Sequence, residues 1–287
     1  MILMLTGLNS KRPASLENTK KEIDNYMEEI KDWMVTNFMK LNTGKTELLI
    51  CAKSKVLKSI DEALTVQVGE DEIIGSDWSQ DVGKSLGVKL DESLKMMRQI
   101  ADVVKRCNWT LLNLRRIASF LNEGLKIMLV KQLVLSKIDY CNALYMNLPA
   151  TRTRRLKSVM NSAIRFIYHI KDRSVQLAPY YKKSHILPLK ERIHFKACLI
   201  THKAIYGKAP GYIQELITIE DPIHRTRAKN GGKLLVQRLS KTNLESRMFS
   251  NYAPDVWNML PSNIRNEDST DAFKRLLKTH MFSSVSS

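Results

Sequence analysis

WMVTNFMKLNTGKTELLI, residues 33–50, changes character halfway. It opens as the apolar end of a helix and closes as an extended apolar strand. Between the two lies Leu41-Asn42-Thr43-Gly44-Lys45-Thr46, a tight turn with a lysine at its tip. Gly44 supplies the backbone freedom that the turn needs. A helix that passes directly into a strand makes this end of the chain α+β. The lysine is the one residue of the turn with chemistry to offer, and a solvated turn lysine is its plainest reading.

Working outward, a helix is expected from Ser15, a good N-cap with Glu17 in the first turn, to near Phe38. Leu16, Ile23 and Ile30 recur every seven residues, and Tyr26 and Trp33 repeat beside them, as on a helix packed along one face. Strands are expected over Thr46–Cys51, over Leu64–Val68 with a return strand from Ile73 after the polar turn GEDE, and over Ser85–Leu90. After Asp91 the pattern is helical. Leu94, Met97, Ile100, Val104, Cys107, Leu111 and Leu114 form one stripe. After a break at Asn122–Gly124, a second stripe takes Leu125, Met128, Leu129, Gln132, Leu133 and Ser136. Further helices are expected over 151–168, 189–206, 248–259 and 270–281, and 221–233 reads as a linker or mobile loop. The fold class is α+β, mostly α, in three regions: 1–92, a helix with a small antiparallel sheet; 93–210, helical and basic; and 211–287, a mobile loop with short helices.

The 287 residues carry a formal net charge of +17, unevenly placed. Residues 1–100 are net −2, and 151–210 are net +12, with 14 Lys/Arg against 2 Asp/Glu. Such a block is either a solvated basic surface or a surface for a polyanion, whose phosphates Lys and Arg neutralise with release of counterions. Its charge density favours the polyanion. No run of 18 apolar residues occurs, so no membrane span is expected. Met1–Leu5 is too short for a signal-peptide core. Cys51, Cys107, Cys141 and Cys198 lie far apart, as suits reduced intracellular thiols. The expected location is the nucleus or cytoplasm, not the secretory route.

Motifs of chemistry are few. Neither a phosphate-binding glycine loop nor a nucleophile elbow nor a zinc-protease helix motif occurs. His194, Cys198 and His202 stand four apart on one helix and could face a zinc ion. A structural site wants a fourth ligand, none follows, and packing on a core edge is the plainer role, so no metal is assigned. Asp139 and Asn142 read as capping or turn residues. The four tryptophans default to core packing. Tyr168, Tyr180 and Tyr181 are near enough to the basic block to stack on bases, with core packing the better role for at least one.

The opening stretch, extended to IKDWMVTNFMKLNTGKTELLI, resembles the segment after the catalytic aspartates in reverse transcriptases of LINE-type, non-LTR retrotransposons. KSLGVKLDESL (84–94) is similar to the next block, the hairpin that steadies the primer end. LVKQLVLSKIDYCNALYMNLP (129–149) resembles a thumb block of jockey-like and chicken-repeat-like elements, and 185–216 and 249–282 resemble their C-terminal blocks. The likeness is collinear from about Ser15 to Phe282. It implies the end of a palm subdomain over 1–92, a thumb over 93–210 and a C-terminal region over 211–287. It places Lys45 beside a nucleotide site, with Asn42 and Thr46 holding its turn, and Leu86, Gly87 and Val88 in a primer grip. It also implies a thumb whose Arg152, Arg154, Arg155, Lys157, Arg165, Lys171, Arg173, Lys182 and Lys183 track phosphates. Positions 194, 198 and 202 fall where the family is apolar or basic.

One departure stands out. The family's Tyr/Phe-Ala-Asp-Asp turn, which holds two Mg²⁺ ions on the incoming phosphates, would lie just before residue 10. That place reads MILMLTGLNSKR, without an aspartate. The expectation is a truncated reverse-transcriptase-like protein, inactive alone and without a cofactor of its own, with Lys45 a relic and apolar palm faces left uncovered. Its expected partners are RNA, an RNA–DNA hybrid or DNA, bound without regard to sequence, with a missing polymerase part in trans a further one. The competing expectation is a helical interaction or scaffolding module whose basic surface binds no nucleic acid.

Overall fold

The computed structural model of the chain describes residues 2–6, 14–42, 47–51, 65–68, 71–74, 83–91, 94–219, 233–236 and 245–284. These fall into two compact units, Met1–Gln99 and Ile100–Ser287. Among the described residues, the regular structure of the second is helical apart from one isolated bridge, so the described chain is mostly α.

In the first unit, strand β1 (Ile2–Thr6) pairs in parallel with β2 (Glu47–Cys51), and helix α1 (Ala14–Thr36) is the crossover that parallel pairing requires. β3 (Thr65–Val68) and β4 (Asp71–Ile74) form an antiparallel hairpin, as do β5 (Gly83–Ser85) and β6 (Val88–Leu90). Two expectations need correction. The single antiparallel sheet is three separate two-stranded ladders, one of them parallel. The short strand read over 85–90 is folded on itself, because Leu86 (φ +46°) and Gly87 (φ +82°) both take the left-handed conformation of a tight hairpin turn.

Helix α1 packs on β3, and the Asp24 carboxylate accepts the Gln67 N–H at 3.0 Å. Met27 is buried and Ile23 and Ile30 are half-buried, whereas Tyr26 and Trp33 are exposed. At 100° per residue the first three lie within about 60° of one another, and Tyr26 and Trp33 fall just outside that arc. The covered stripe is therefore narrower than the sequence pattern. The helix ends in a Schellman motif: Phe38 N–H donates to the Val35 carbonyl at 3.0 Å and Met39 N–H to that of Met34 at 2.8 Å. Phe38, at φ +57° and fully exposed, holds the left-handed position that glycine usually takes.

In the second unit, α2 (Met97–Arg116) buries Ile100, Val103, Val104, Cys107, Leu111 and Leu114, close to the expected stripe. Asn122 caps α3 (Glu123–Val130), its Oδ1 accepting the Leu125 N–H at 2.9 Å. A π-turn over Lys131–Leu135 joins α3 to α4 (Ser136–Asp139). The expected stripe is wrong here. Leu125, Met128 and Leu133 are exposed, and the buried line is Lys126, Val130, Val134 and Ile138. Helix α5 (Ala150–Ile167) packs on α3 and buries Leu156, Val159, Met160, Ala163, Ile164, Phe166 and Ile167. The short α6 (Ala178–Lys183) precedes α7 (Leu189–Ile205), which starts behind Pro188.

The rest of the unit gathers on α7. α8 (Gly211–Gln214), α9 (Phe249–Asn258) and α11 (Thr270–Ser284) all touch it, and α10 (Ser262–Arg265) packs on α11. Trp257, Phe273, Leu277, Leu260, Ile264 and Cys198 form one apolar core. Residues 220–232 lie outside the described residues, and with them almost all of the expected loop. Among the described residues no helix is long and apolar enough to cross a membrane. The core makes a contrast that urea denaturation can read. Trp257→Ala should cost about 3–5 kcal/mol, and Trp109→Ala, at an exposed position, within about 0.5 kcal/mol. Phe38→Gly should stabilise α1 by roughly 0.5–1 kcal/mol, seen as a raised unfolding midpoint of the first unit.

Candidate nucleic-acid interface

Helix α5 carries a polar face opposite its buried one. Ser158, Asn161, Ser162 and Arg165 follow one another at helical spacing, and all four line an open cleft of about 690 Å³. The last turn of α2 gives Arg115 to the opposite wall, and the segment after α5 gives His169, Lys171 and Arg173. Arg154 and Arg155, both exposed, stand one turn before Ser158 on α5 and carry the polar face toward the helix start. Among the described residues no carboxylate pairs with Arg115, Lys171 or Arg173.

Arg165 builds the cleft as well as lining it. Its guanidinium donates to the carbonyl oxygens of Asp172 and Arg173, the latter at 3.0 Å, and so folds the segment back on the helix. The Asp172 carboxylate accepts the Ser174 hydroxyl at 2.6 Å and the Ser174 N–H at 2.8 Å. Those two bonds, with Arg165 nearby, hold its acid below the usual carboxylate range. The acid is thus turned to its own backbone. Behind two of the lining residues, Lys126, only 3% exposed, meets His169 Nε2 and lies 6.0 Å from the Phe166 ring centre.

The other expected residues are spread more widely. Arg152 is half-buried and Lys157 exposed on α5. Lys182 and Lys183 are exposed on α6, and Lys183 is bound to Glu123 at 2.9 Å and sits 4.8 Å from the Tyr168 ring centre. That Glu123 bond, chiefly, raises its affinity for its proton. Tyr181 is buried and donates to Asn161 Oδ1 at 2.9 Å, so it packs rather than stacks, while Tyr168 and Tyr180 face each other at 5.0 Å. In the first unit Leu86 and Gly87 are exposed at the hairpin tip and Val88 is buried. Asn42 is exposed, and Lys45 and Thr46 lie outside the described residues.

Several side chains differ from their sequence reading. Trp109 is 67% exposed, not core. Asp139 is no cap. It takes Arg192 in a two-pronged ion pair across 53 residues of sequence, with Nε at 2.7 Å from Oδ1. His194, Cys198 and His202 do not converge on a common point of chemistry. His194 meets the Tyr252 ring edge-on at 5.9 Å, and Cys198 lies in the apolar core. His202 is stacked on Phe273 at 4.2 Å with Nε2 2.9 Å from the Glu267 carbonyl oxygen. Among the described residues no group of three or more His, Cys, Asp or Glu could hold a metal ion. Burial pushes the Cys107 thiol up to about 11 and that of Cys198 to about 12, so neither is a nucleophile at neutral pH.

The charged or titratable pieces of the cleft that sequence reasoning missed are Arg115 and His169, with Lys126 behind His169. Arg115 was visible only as one of two arginines ending a helix. Comparison of the chain with models of protein families, with curated proteins and with solved structures finds no match.

Burial, aided by Lys190, lowers the His194 pKa from 6.5 to about 4. The unfolded chain then binds the extra proton first, so this stability is complete above pH 6.5 and is lost as pH falls toward 4. The loss should reach about 2 kcal/mol once partial exposure of the ring is allowed for. Urea midpoints of the second unit measured across this range should fall, and His194→Leu should flatten the dependence.

Proposed function

We propose that the second unit binds nucleic acid, with phosphates lying in the cleft between the end of α2, the polar face of α5 and the Lys171–Arg173 segment. The observation that carries this reading is the convergence of Arg115, Arg165, Lys171 and Arg173 on one open cleft, with no carboxylate among the described residues paired to Arg115, Lys171 or Arg173. Like charges held together favour a polyanion, which neutralises them and gives up its counterions. Arg165 is tied to backbone carbonyls, so it shapes the cleft, while Arg115, Lys171 and Arg173 are available to phosphate oxygens. Contacts of these donors to phosphate oxygens carry no sequence information, so binding through the cleft is independent of sequence. RNA, DNA and RNA–DNA hybrids are the partners.

The collinear likeness to LINE-type reverse transcriptases agrees with this reading and names the protein class: a reverse-transcriptase-like chain that holds template or hybrid. The 287 residues contain no adjacent aspartate pair, so this chain by itself should not transfer nucleotides. A second reading, as a protein-interaction module, is favoured by Trp109 and Phe120, which are 67% and 83% exposed on and just after α2. It predicts a partner retained at high salt and no nucleic-acid affinity.

The test is binding of the full chain to a fluorescent RNA–DNA hybrid over a salt series. Arg115→Ala/Lys171→Ala/Arg173→Ala should weaken binding alike for all sequences and lower the slope of log K against log salt by about three. Arg154→Ala/Arg155→Ala should lower it by about two or less, since these residues stand outside the cleft proper. Unchanged binding by the triple variant would refute the cleft. Primer extension with Mg²⁺ and deoxynucleotides should yield no product, and extension would refute the inactive reading.

A further inference from the structure

A second cavity, of about 200 Å³, lies between the end of α4, the start of α7 and α11. It shares no lining residue with the cleft, so its chemistry stands apart from nucleic-acid binding. Asp139, Asn142, His185, Arg192, Lys196 and Lys278 give it its polar lining. We propose that this cavity is a binding site for hydrogen phosphate.

The charge balance comes first. Among the described residues Asp139 is the cavity's only lining carboxylate, and it is committed to Arg192 through both oxygens. Lys196 and Lys278 face the same space with no carboxylate partner among the described residues. Lys131, beside them, holds its proton less firmly than usual, first through burial and then through Lys278 and Arg192. Cations brought this close repel one another, and an anion between them removes the repulsion.

Size and hydrogen bonding then select the anion. The volume is many times that of one water and below the range of about 300–1,000 Å³ usual for pockets that enclose larger organic ligands. That favours a small ion. Asn142 is 2% exposed, and its Oδ1 is buried without a hydrogen-bond partner. Its Nδ2 reaches Asp139 Oδ1 only at 3.4 Å. A buried amide oxygen calls for a donor. Hydrogen phosphate supplies acceptor oxygens for Lys196, Lys278 and the remaining Arg192 donors, and one hydroxyl for Asn142. Sulfate and a nucleic-acid phosphodiester have no such hydroxyl at neutral pH, and would leave the acceptor unmet.

Calorimetric titration of the full chain with inorganic phosphate, at ionic strength matched with chloride, tests this. Saturable binding is expected, and sulfate should bind about tenfold more weakly or worse, the cost of an unmet buried acceptor. Lys196→Gln/Lys278→Gln should lose phosphate binding at least about tenfold. Both lysines are at least partly exposed and Gln keeps most of their stems, so the helical circular dichroism should be unchanged. A second arm measures hybrid affinity of the same variant, which should be unchanged. No saturable phosphate binding, equal binding of sulfate, or equal phosphate binding by the double variant would each overturn the site. So would loss of hybrid affinity by a variant that still binds phosphate, which would reassign the cavity to phosphodiesters.

Discussion

The second unit must fold with far more cations than carboxylates to meet them. Between residues 151 and 210 there are 14 Lys/Arg and 2 Asp/Glu. Of the two acids, Asp172 is turned back on Ser174. Beside a few carboxylate pairs such as Arg192–Asp139 and Lys183–Glu123, the structure therefore meets several of its cations with carbonyl oxygens and ring faces. Arg165 is held by the carbonyls of Asp172 and Arg173, Arg265 by that of Asn258 at 3.1 Å, and Lys208 by that of Asp268 at 2.8 Å. Lys126 is buried against His169 and Phe166. Carbonyls and rings position a cation but leave its charge in place. Where α2, α5 and the following segment meet, Arg115, Arg165, Lys171 and Arg173 line one cleft.

Helix α7 is the element around which this arrangement is built. Leu189, Ile193, Ala197, Cys198, Thr201, His202 and Ala204 are all buried, spread over more than one side of the helix. Its neighbours cover it from several directions, so its polar side chains must be satisfied internally. Arg192 is, by Asp139. Thr201 is, by the Ala197 carbonyl one turn back. His202 is satisfied at Nε2, which donates to the Glu267 carbonyl oxygen, and its ring packs on Tyr206 and Phe273, with burial lowering its pKa. The same helix thus holds the C-terminal core in place and presents Arg192 and Lys196 to the smaller cavity.

Much of this was legible in the sequence where apolar spacing was clear. Helices α5 and α7 and the stripe of α2 follow the residues that periodicity picks out. The stripe of α3 misled because Leu125, Met128 and Leu133 outweigh one lysine on any apolar scale. Yet Lys126 stands at the buried position, satisfied by His169 from 43 residues away, and the π-turn after it shifts the helical phase. Phe38 at a left-handed helix terminus and the Leu86–Gly87 turn are backbone choices that a search for glycine alone passes over. The basic block was visible as a block, but its assembly was not. Arg165, Lys171 and Arg173 come together with Arg115 only through tertiary packing, whereas Arg152 and Lys182 do not join them in the cleft lining. The Asp139–Arg192 pair, 53 residues apart, has no local signal at all.

On the proposed function, polyanion contacts fall in one cleft and not over the basic surface at large. Photocrosslinking of a thiouridine-bearing RNA–DNA hybrid to the full chain, with the attached peptides identified by mass spectrometry, tests it most directly. Crosslinks should be confined to peptides spanning Arg115–Phe120 and Ser158–Arg173 and be lost on adding salt. Crosslinks spread over the exposed lysines of the whole chain, or confined to residues 14–99, would contradict it.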